Sequence, residues 1–196
     1  MRLSRAAAWL LPLVLAGAAP APENNSASTS ERGRLGEFIP VSPPEPAPAV
    51  SFVDFAGNTV SLAEFAGKFV LVNLWATWCE PCLREMPSLD RMQRRLSDKI
   101  TVVAISEDRG GSTTVEPFID KLGLKSFKTY LDPKSGAGRA LKVEGLPTSV
   151  LIDPEGRVLG RVEGAAEWDS SKLLGVLRSF LGSDDVIKAS FRRARP

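Results

Sequence analysis

Phe69-Val70-Leu71-Val72-Asn73-Leu74-Trp75-Ala76-Thr77-Trp78-Cys79-Glu80-Pro81-Cys82 passes from one structural pattern into another. Its first seven residues form a nearly continuous apolar run, the pattern of a strand buried on both faces. Beyond it, Cys82, Met86, Leu89, Met92 and Leu96 make a helical stripe, with Arg84, Asp90, Arg91, Arg94 and Arg95 outside it. Both cysteines therefore stand where a strand gives way to a helix. Free N–H groups and the positive end of the helix dipole favour a thiolate there. The spacing brings Cys82 close to Cys79 and holds it deeper, so one sulfur can attack while the other resolves a mixed disulfide. Pro81 suits a first helical turn, where its missing N–H costs nothing.

Outward from this junction the periods alternate. Val50 to Phe55 and Thr59 to Leu62, joined through Gly57-Asn58, predict a hairpin. Ile100 to Ser106 predicts a second buried strand. Val115, Phe118, Ile119 and Leu122 predict a helix with Thr114 as N-cap and Gly123 just past its end. Phe127 to Leu131 reads as a strand and Ser135 to Leu141 as a short helix. Thr148 to Ile152 and Arg157 to Val162 read as strands joined by the turn Asp153-Pro154-Glu155-Gly156. Leu173, Leu174, Leu177, Phe180 and Leu181 define a last helix, opened by Trp168 and ended by Gly182. The order predicts an α/β domain, a mixed sheet with flanking helices.

Composition excludes much. The 196 residues carry 25 Lys+Arg against 23 Asp+Glu, a net charge of +2 that gives no electrostatic case for nucleic acid. There is no His, so no His-based triad, imidazole base, His metal ligand or C-x-x-C-H haem attachment. Two Cys are half of a structural zinc set, and no metal site is assigned. Glu107-Asp108-Arg109-Gly110-Gly111 lacks the spacing of a phosphate loop and reads as a plain loop. Any chemistry must run on Cys79 and Cys82, on carboxylates, or not at all.

The two ends read differently from the middle. Residues 1–19 have Arg2 and Arg5 before an apolar stretch and Ala16-Gly17-Ala18 at its end, the pattern of a signal peptide or a retained signal anchor. Residues 20–48, rich in Pro, Ser, Asn and Ala, read as a spacer that is polyproline-like near its end. The folded domain is expected over 49–182, and 183–196 is a basic tail. Residues 1–19 predict export to a bacterial periplasm, with the protein either soluble or anchored by an uncleaved N-terminal segment.

At Trp75, Trp78, Cys79 and Cys82 the chain resembles the thioredoxin superfamily, and more closely the exported thiol–disulfide reductases of the TlpA and ResA type. Pro87 matches the proline that bends the active-site helix. Gly145-Leu146-Pro147-Thr148 resembles the cis-proline loop, whose role in that family is to set the backbone of Leu146 beside the cysteines for pairing with an extended substrate. The resemblance implies substrate contacts at Trp78, Leu146 and Pro147, and redox tuning by Glu80, Pro81 and Asn73. Asn73 stands where thioredoxin has a buried aspartate, and an amide cannot exchange protons. Glu85, three residues after Cys82, matches a glutamate of the exported reductases and is the candidate proton relay. The hairpin before the core strand also fits that subgroup.

The resemblance implies an enzyme, a protein-disulfide reductase working through Cys79 and Cys82 without cofactor. Its implied partners are a protein disulfide as substrate, in apocytochrome c or a copper-delivery protein, and a membrane thiol–disulfide transporter as electron donor. Three alternatives stay open: a dithiol oxidase, a Cu(I) carrier using the same thiolates, and a redox-inert domain with a permanent disulfide.

Overall fold

The computed structural model describes residues 36–182. The expected signal segment, the first part of the spacer and the basic tail lie outside the described residues. Eight strands and four helices follow in the order β1 (Phe38–Pro46), β2 (Ser51–Val53), β3 (Thr59–Ser61), β4 (Phe69–Trp75), α1 (Glu80–Leu96), β5 (Ile100–Ser106), α2 (Ser112–Leu122), β6 (Lys128–Leu131), α3 (Gly136–Ala140), β7 (Thr148–Ile152), β8 (Arg157–Glu163) and α4 (Ser171–Leu181). A short 3-10 turn, Leu62–Phe65, joins β3 to β4. The strands make one sheet in the order β1-β8-β7-β4-β5-β6-β2-β3.

β4 lies in the interior of that sheet, and all seven of its residues are buried. It runs parallel to β5 with Phe69 opposite Ile100, and antiparallel to β7 with Leu74 opposite Thr148. α1 is the crossover between the parallel strands β4 and β5, so it runs back over the strand that precedes it. Cys82, Met86, Leu89 and Met92 are fully buried along it and pack with Leu71 and Trp75. Val115 of α2 and Leu173, Leu174 and Leu177 of α4 complete this face. Val70, Val72 and Leu74 point the other way, to Ala137 of α3, Leu141 and Leu62. Period-2 alternation in β4 thus feeds two apolar layers from one strand. Each fully buried leucine or methionine contributes about 1.5–3 kcal/mol.

Three sequence expectations are corrected. The proline-rich segment read as spacer carries β1 over residues 38–46, which pairs antiparallel with β8, Phe38 opposite Val162 and Pro46 opposite Arg157. Proline is tolerated because β1 is an edge strand, and the register shifts between Pro40 and Glu45. A Cβ on Gly160 would stand 2.4 Å from Phe38 Cζ and 2.6 Å from the Ile39 oxygen, so β1 docks where β8 has no side chain. α2 begins after Gly111, not Thr114: Gly111 adopts φ 58°, and Thr114 lies inside the helix. Gly123 ends α2 in the left-handed conformation, as its position predicts. Trp168 does not open α4, which is capped by Ser170 through its side chain and the Leu173 N–H.

Candidate active site

Cys79 is the N-cap of α1, and Cys79 and Cys82 form a disulfide with Cα atoms 5.3 Å apart. Cys82 is wholly buried, and Cys79 is 5% exposed and belongs to the same buried cluster. The Cys82 N–H donates to Cys79 Sγ at 3.3 Å, so a free amide at the helix start already faces the outer sulfur. Beside it Trp78 is 71% exposed, the one large hydrophobic side chain so placed among the described residues. Pro81 occupies the first turn of α1, where no intrahelical N–H bond is lost. Pro87 lies within α1.

The loop ahead of Cys79 is fastened from β5 and the turn after it. The Thr77 N–H and hydroxyl donate to the two oxygens of buried Asp108, at 2.8 and 2.6 Å. The Ser106 hydroxyl also donates to Asp108, and the Glu107 N–H donates to the Trp75 oxygen at 2.9 Å. Leu146–Pro147 is a cis peptide. Pairing of Thr148 with Leu74 brings it to the end of β4 from which the cysteine loop departs. Leu146 is partly buried and packs against both apolar layers, including the one that contains Cys79 and Cys82.

Glu85 is 2% exposed and lies on the inner face of α1, one turn beyond Cys82. Asn73 Nδ2 donates to its Oε1 at 2.8 Å. The Ala166 N–H and Trp168 Nε1 donate to Oε2 at 3.0 and 3.2 Å. Burial pushes its pKa up to about 7, against the lowering effect of these three donors. Such a carboxyl can hold or release a proton near neutral pH. Ser88 reinforces the arrangement by accepting from the Trp168 N–H at 3.0 Å. Arg91 ties α1 to the same segment through Asp169 at 2.7 Å and Glu167 at 3.0 Å.

Among the residues singled out from sequence, Cys79, Cys82, Glu85 and Asn73 belong to one buried group around the start of α1. Trp78 and Leu146 lie at its rim. Glu80 does not join them: it is exposed and pairs with Arg84 at 2.8 Å. Sequence reading missed Trp168, whose indole reaches Glu85 across 83 positions, and Asp108, which holds Thr77 across 31. Neither leaves a local signal. A tryptophan before a helix reads as packing, and an aspartate in a glycine-rich turn reads as loop.

The Redoxin family model matches residues 43–177 of this chain. The thioredoxin-like protein YneN of Bacillus subtilis is 36% identical over 112 residues, which are 56% of this chain and 65% of that protein. The thiol-disulfide oxidoreductase ResA of Bacillus anthracis is 32% identical over 133 residues, 67% of this chain and 75% of ResA. Among solved structures, a thiol:disulfide interchange protein DsbE of Chlorobium tepidum superposes with a TM-score of 0.65 and 30% identity, covering 71% of this chain and 97% of that one. A DsbF homologue from Corynebacterium diphtheriae gives a TM-score of 0.63 at 25% identity, covering 78% and 97%. With a cysteine pair closed into a disulfide at the head of α1, the chain belongs to the Redoxin family, as a thiol–disulfide oxidoreductase of the ResA type in the thioredoxin superfamily.

Proposed function

We propose that the protein works outside the cytoplasm as a reductant of protein disulfides. The observation that carries this reading is Glu85, buried one turn below Cys82 with its pKa near 7. In the first step the Cys79 thiolate attacks a substrate disulfide. A Cys79–substrate bond forms, and one substrate sulfur leaves and takes a proton from water. Glu85 then accepts the Cys82 proton. The Cys82 thiolate attacks Cys79 Sγ, the mixed disulfide breaks, and the second substrate sulfur leaves as a thiolate that is protonated in turn. The substrate gains two electrons and the protein ends as the Cys79–Cys82 disulfide.

Trp78 and the backbone of Leu146 beside cis-Pro147 would receive an extended substrate segment. Direction is supported by charge. Buried Glu85 lies one turn beyond Cys82 on α1, and the neighbouring cation Arg84 is engaged by Glu80. Carboxylates disfavour thiolates, and a less stable dithiol is a better reductant. The apolar stretch in residues 1–19 supports export, with the segment removed or kept as a tether. Residues 20–35 would then be spacer and 183–196 a basic tail. The family resemblance supports apocytochrome c or copper-delivery protein disulfides as substrates, and a membrane thiol–disulfide transporter as electron source.

A Cys82→Ser variant expressed with its N-terminal segment tests the reading. Covalent adducts through Cys79 with exported cysteine proteins are expected, and a folded variant forming none overturns it. Equilibration of the wild-type protein with glutathione settles direction. A strongly oxidising potential would make it a dithiol oxidase. Tight Cu(I) binding without disulfide reduction would make it a metal carrier.

A further inference from the structure

Two buried polar side-chain atoms in the described residues lack a hydrogen-bond partner: Asn73 Oδ1 and Trp75 Nε1. One is an acceptor and the other a donor, and both residues are wholly buried. They stand two apart on β4, so both side chains leave the same face of the sheet. That face is the one covered by α1, since Trp75 packs there and Asn73 Nδ2 is bonded to Glu85. Orphaned groups of this kind cost about 1–3 kcal/mol each, and a native fold retains them only for a reason.

The register of helix on strand supplies one. α1 runs back over β4, and Glu85 lies level with Asn73. Cys82 is three residues nearer the helix start, a rise of about 4.5 Å. Two strand residues span about 6.6 Å, so Trp75 stands roughly that far beyond Asn73 in the same direction. Cys82 therefore lies over the interval between the orphan acceptor and the orphan donor, and it is buried beyond reach of bulk water.

We infer that Asn73 and Trp75 form a polar cradle for the reduced Cys82, idle in the disulfide and engaged when that bond opens. Two electrons and two protons from a dithiol or two glutathione molecules break the Cys79–Cys82 bond, leaving two protein thiols and an oxidised donor disulfide. The new Cys82 S–H donates to Asn73 Oδ1. When that proton passes on, Trp75 Nε1–H donates to the thiolate. A buried sulfur thus has a partner in each protonation state. Asn73 and Trp75 are positioning residues: they hold the thiol at the point where its proton leaves, while Glu85 exchanges it. Asparagine at position 73 then has a definite use, since its N–H side orients Glu85 and its oxygen side serves the cysteine.

This inference rests on the redox reading of Cys79 and Cys82, whichever way electrons flow in the cell. The test uses the full-length protein. Trp75→Phe removes the Nε1–H, keeps the aromatic ring and is the discriminating variant; Asn73→Leu removes the oxygen together with the Nδ2 donor to Glu85 and Ser149. Each is equilibrated with reduced and oxidised glutathione, and the denaturant stability of both redox forms is measured alongside. Loss of a bond made only in the reduced form should move the equilibrium toward the disulfide about five- to tenfold. A merely structural role would weaken both redox forms equally and leave the equilibrium unmoved. Where a variant fails to fold, the wild-type protein answers through the Trp75 indole N–H, whose NMR resonance should move downfield on reduction as it gains a sulfur acceptor. An unchanged equilibrium in folded variants, or a Trp75 signal indifferent to reduction, overturns the inference. A wild-type disulfide that does not exchange with glutathione at all would instead overturn the redox reading itself.

Discussion

Glu80 and Glu85 are the same residue type on the same helix, five positions apart, and they meet opposite fates. Glu80 has 83% of its side chain exposed and shares a 2.8 Å ion pair with Arg84, itself 62% exposed. Solvent screens that pair, and its contribution is at most about 1 kcal/mol. Glu85 faces the sheet and is held by an asparagine, a main-chain amide and an indole. Burial makes its proton hard to lose, whereas the charge on Glu80 is met by water and an arginine. The chemistry of a carboxylate at this site is set by the face of α1 it occupies, not by its distance in sequence from the cysteines.

The strongest way to break the contrast is Glu85→Gln. Removing the proton acceptor should slow disulfide exchange by about a hundredfold at neutral pH and flatten the pH profile of Cys82 alkylation. An unchanged profile removes Glu85 from the mechanism. Stability gives the next effect. A folded-state pKa of about 7 lies above the ordinary 4.5, so the native protein binds this proton more tightly than the unfolded chain. The associated stabilisation is full below pH 4.5 and is lost as pH rises to about 7, a change on the order of 3 kcal/mol. Denaturant titrations across that window should show this fall in the wild type and its absence in Glu85→Gln.

Trp168→Phe sharpens the comparison from the other side of the carboxylate. Without the indole donor the charged form of Glu85 loses support. Its titration, followed by infrared or NMR, should move above 7, with a loss of roughly 1.5–3 kcal/mol above that pH. Glu80→Gln should do least, changing stability by less than about 0.5 kcal/mol. An effect on exchange as large as that of Glu85→Gln would erase the distinction between the two faces.

The parts of the fold that were readable share a physical cause. β4, β5 and β7 have the bounds their apolar runs predict, because a strand buried on both faces advertises itself residue by residue. The start of α1 and the cysteine pair were readable because each needs particular residues at fixed spacing, and the cis peptide at Pro147 through the resemblance of its loop to the thioredoxin family's. β1 was not, since an exposed edge strand needs no apolar pattern and its pairing with β8 is decided more than a hundred positions away. Gly160, whose missing side chain admits β1, likewise gives no sign of what approaches it. At the site, Glu85 and Asn73 could be named from sequence, but the indole of Trp168 and the carboxylate of Asp108 arrive through tertiary packing alone.

The prolines of β1 have a consequence for how this protein meets other chains. Four of its nine residues, Pro40, Pro43, Pro44 and Pro46, have no N–H to offer. An outer strand so depleted of donors is a poor template on which a foreign strand could grow. In the proposed reductant role, the protein would meet extended protein segments repeatedly and would need to avoid being captured by them. The fold presents such segments with a blunt border on its β1 side, which would leave the proposed contact at the Leu146 backbone as the place where they are taken up and let go.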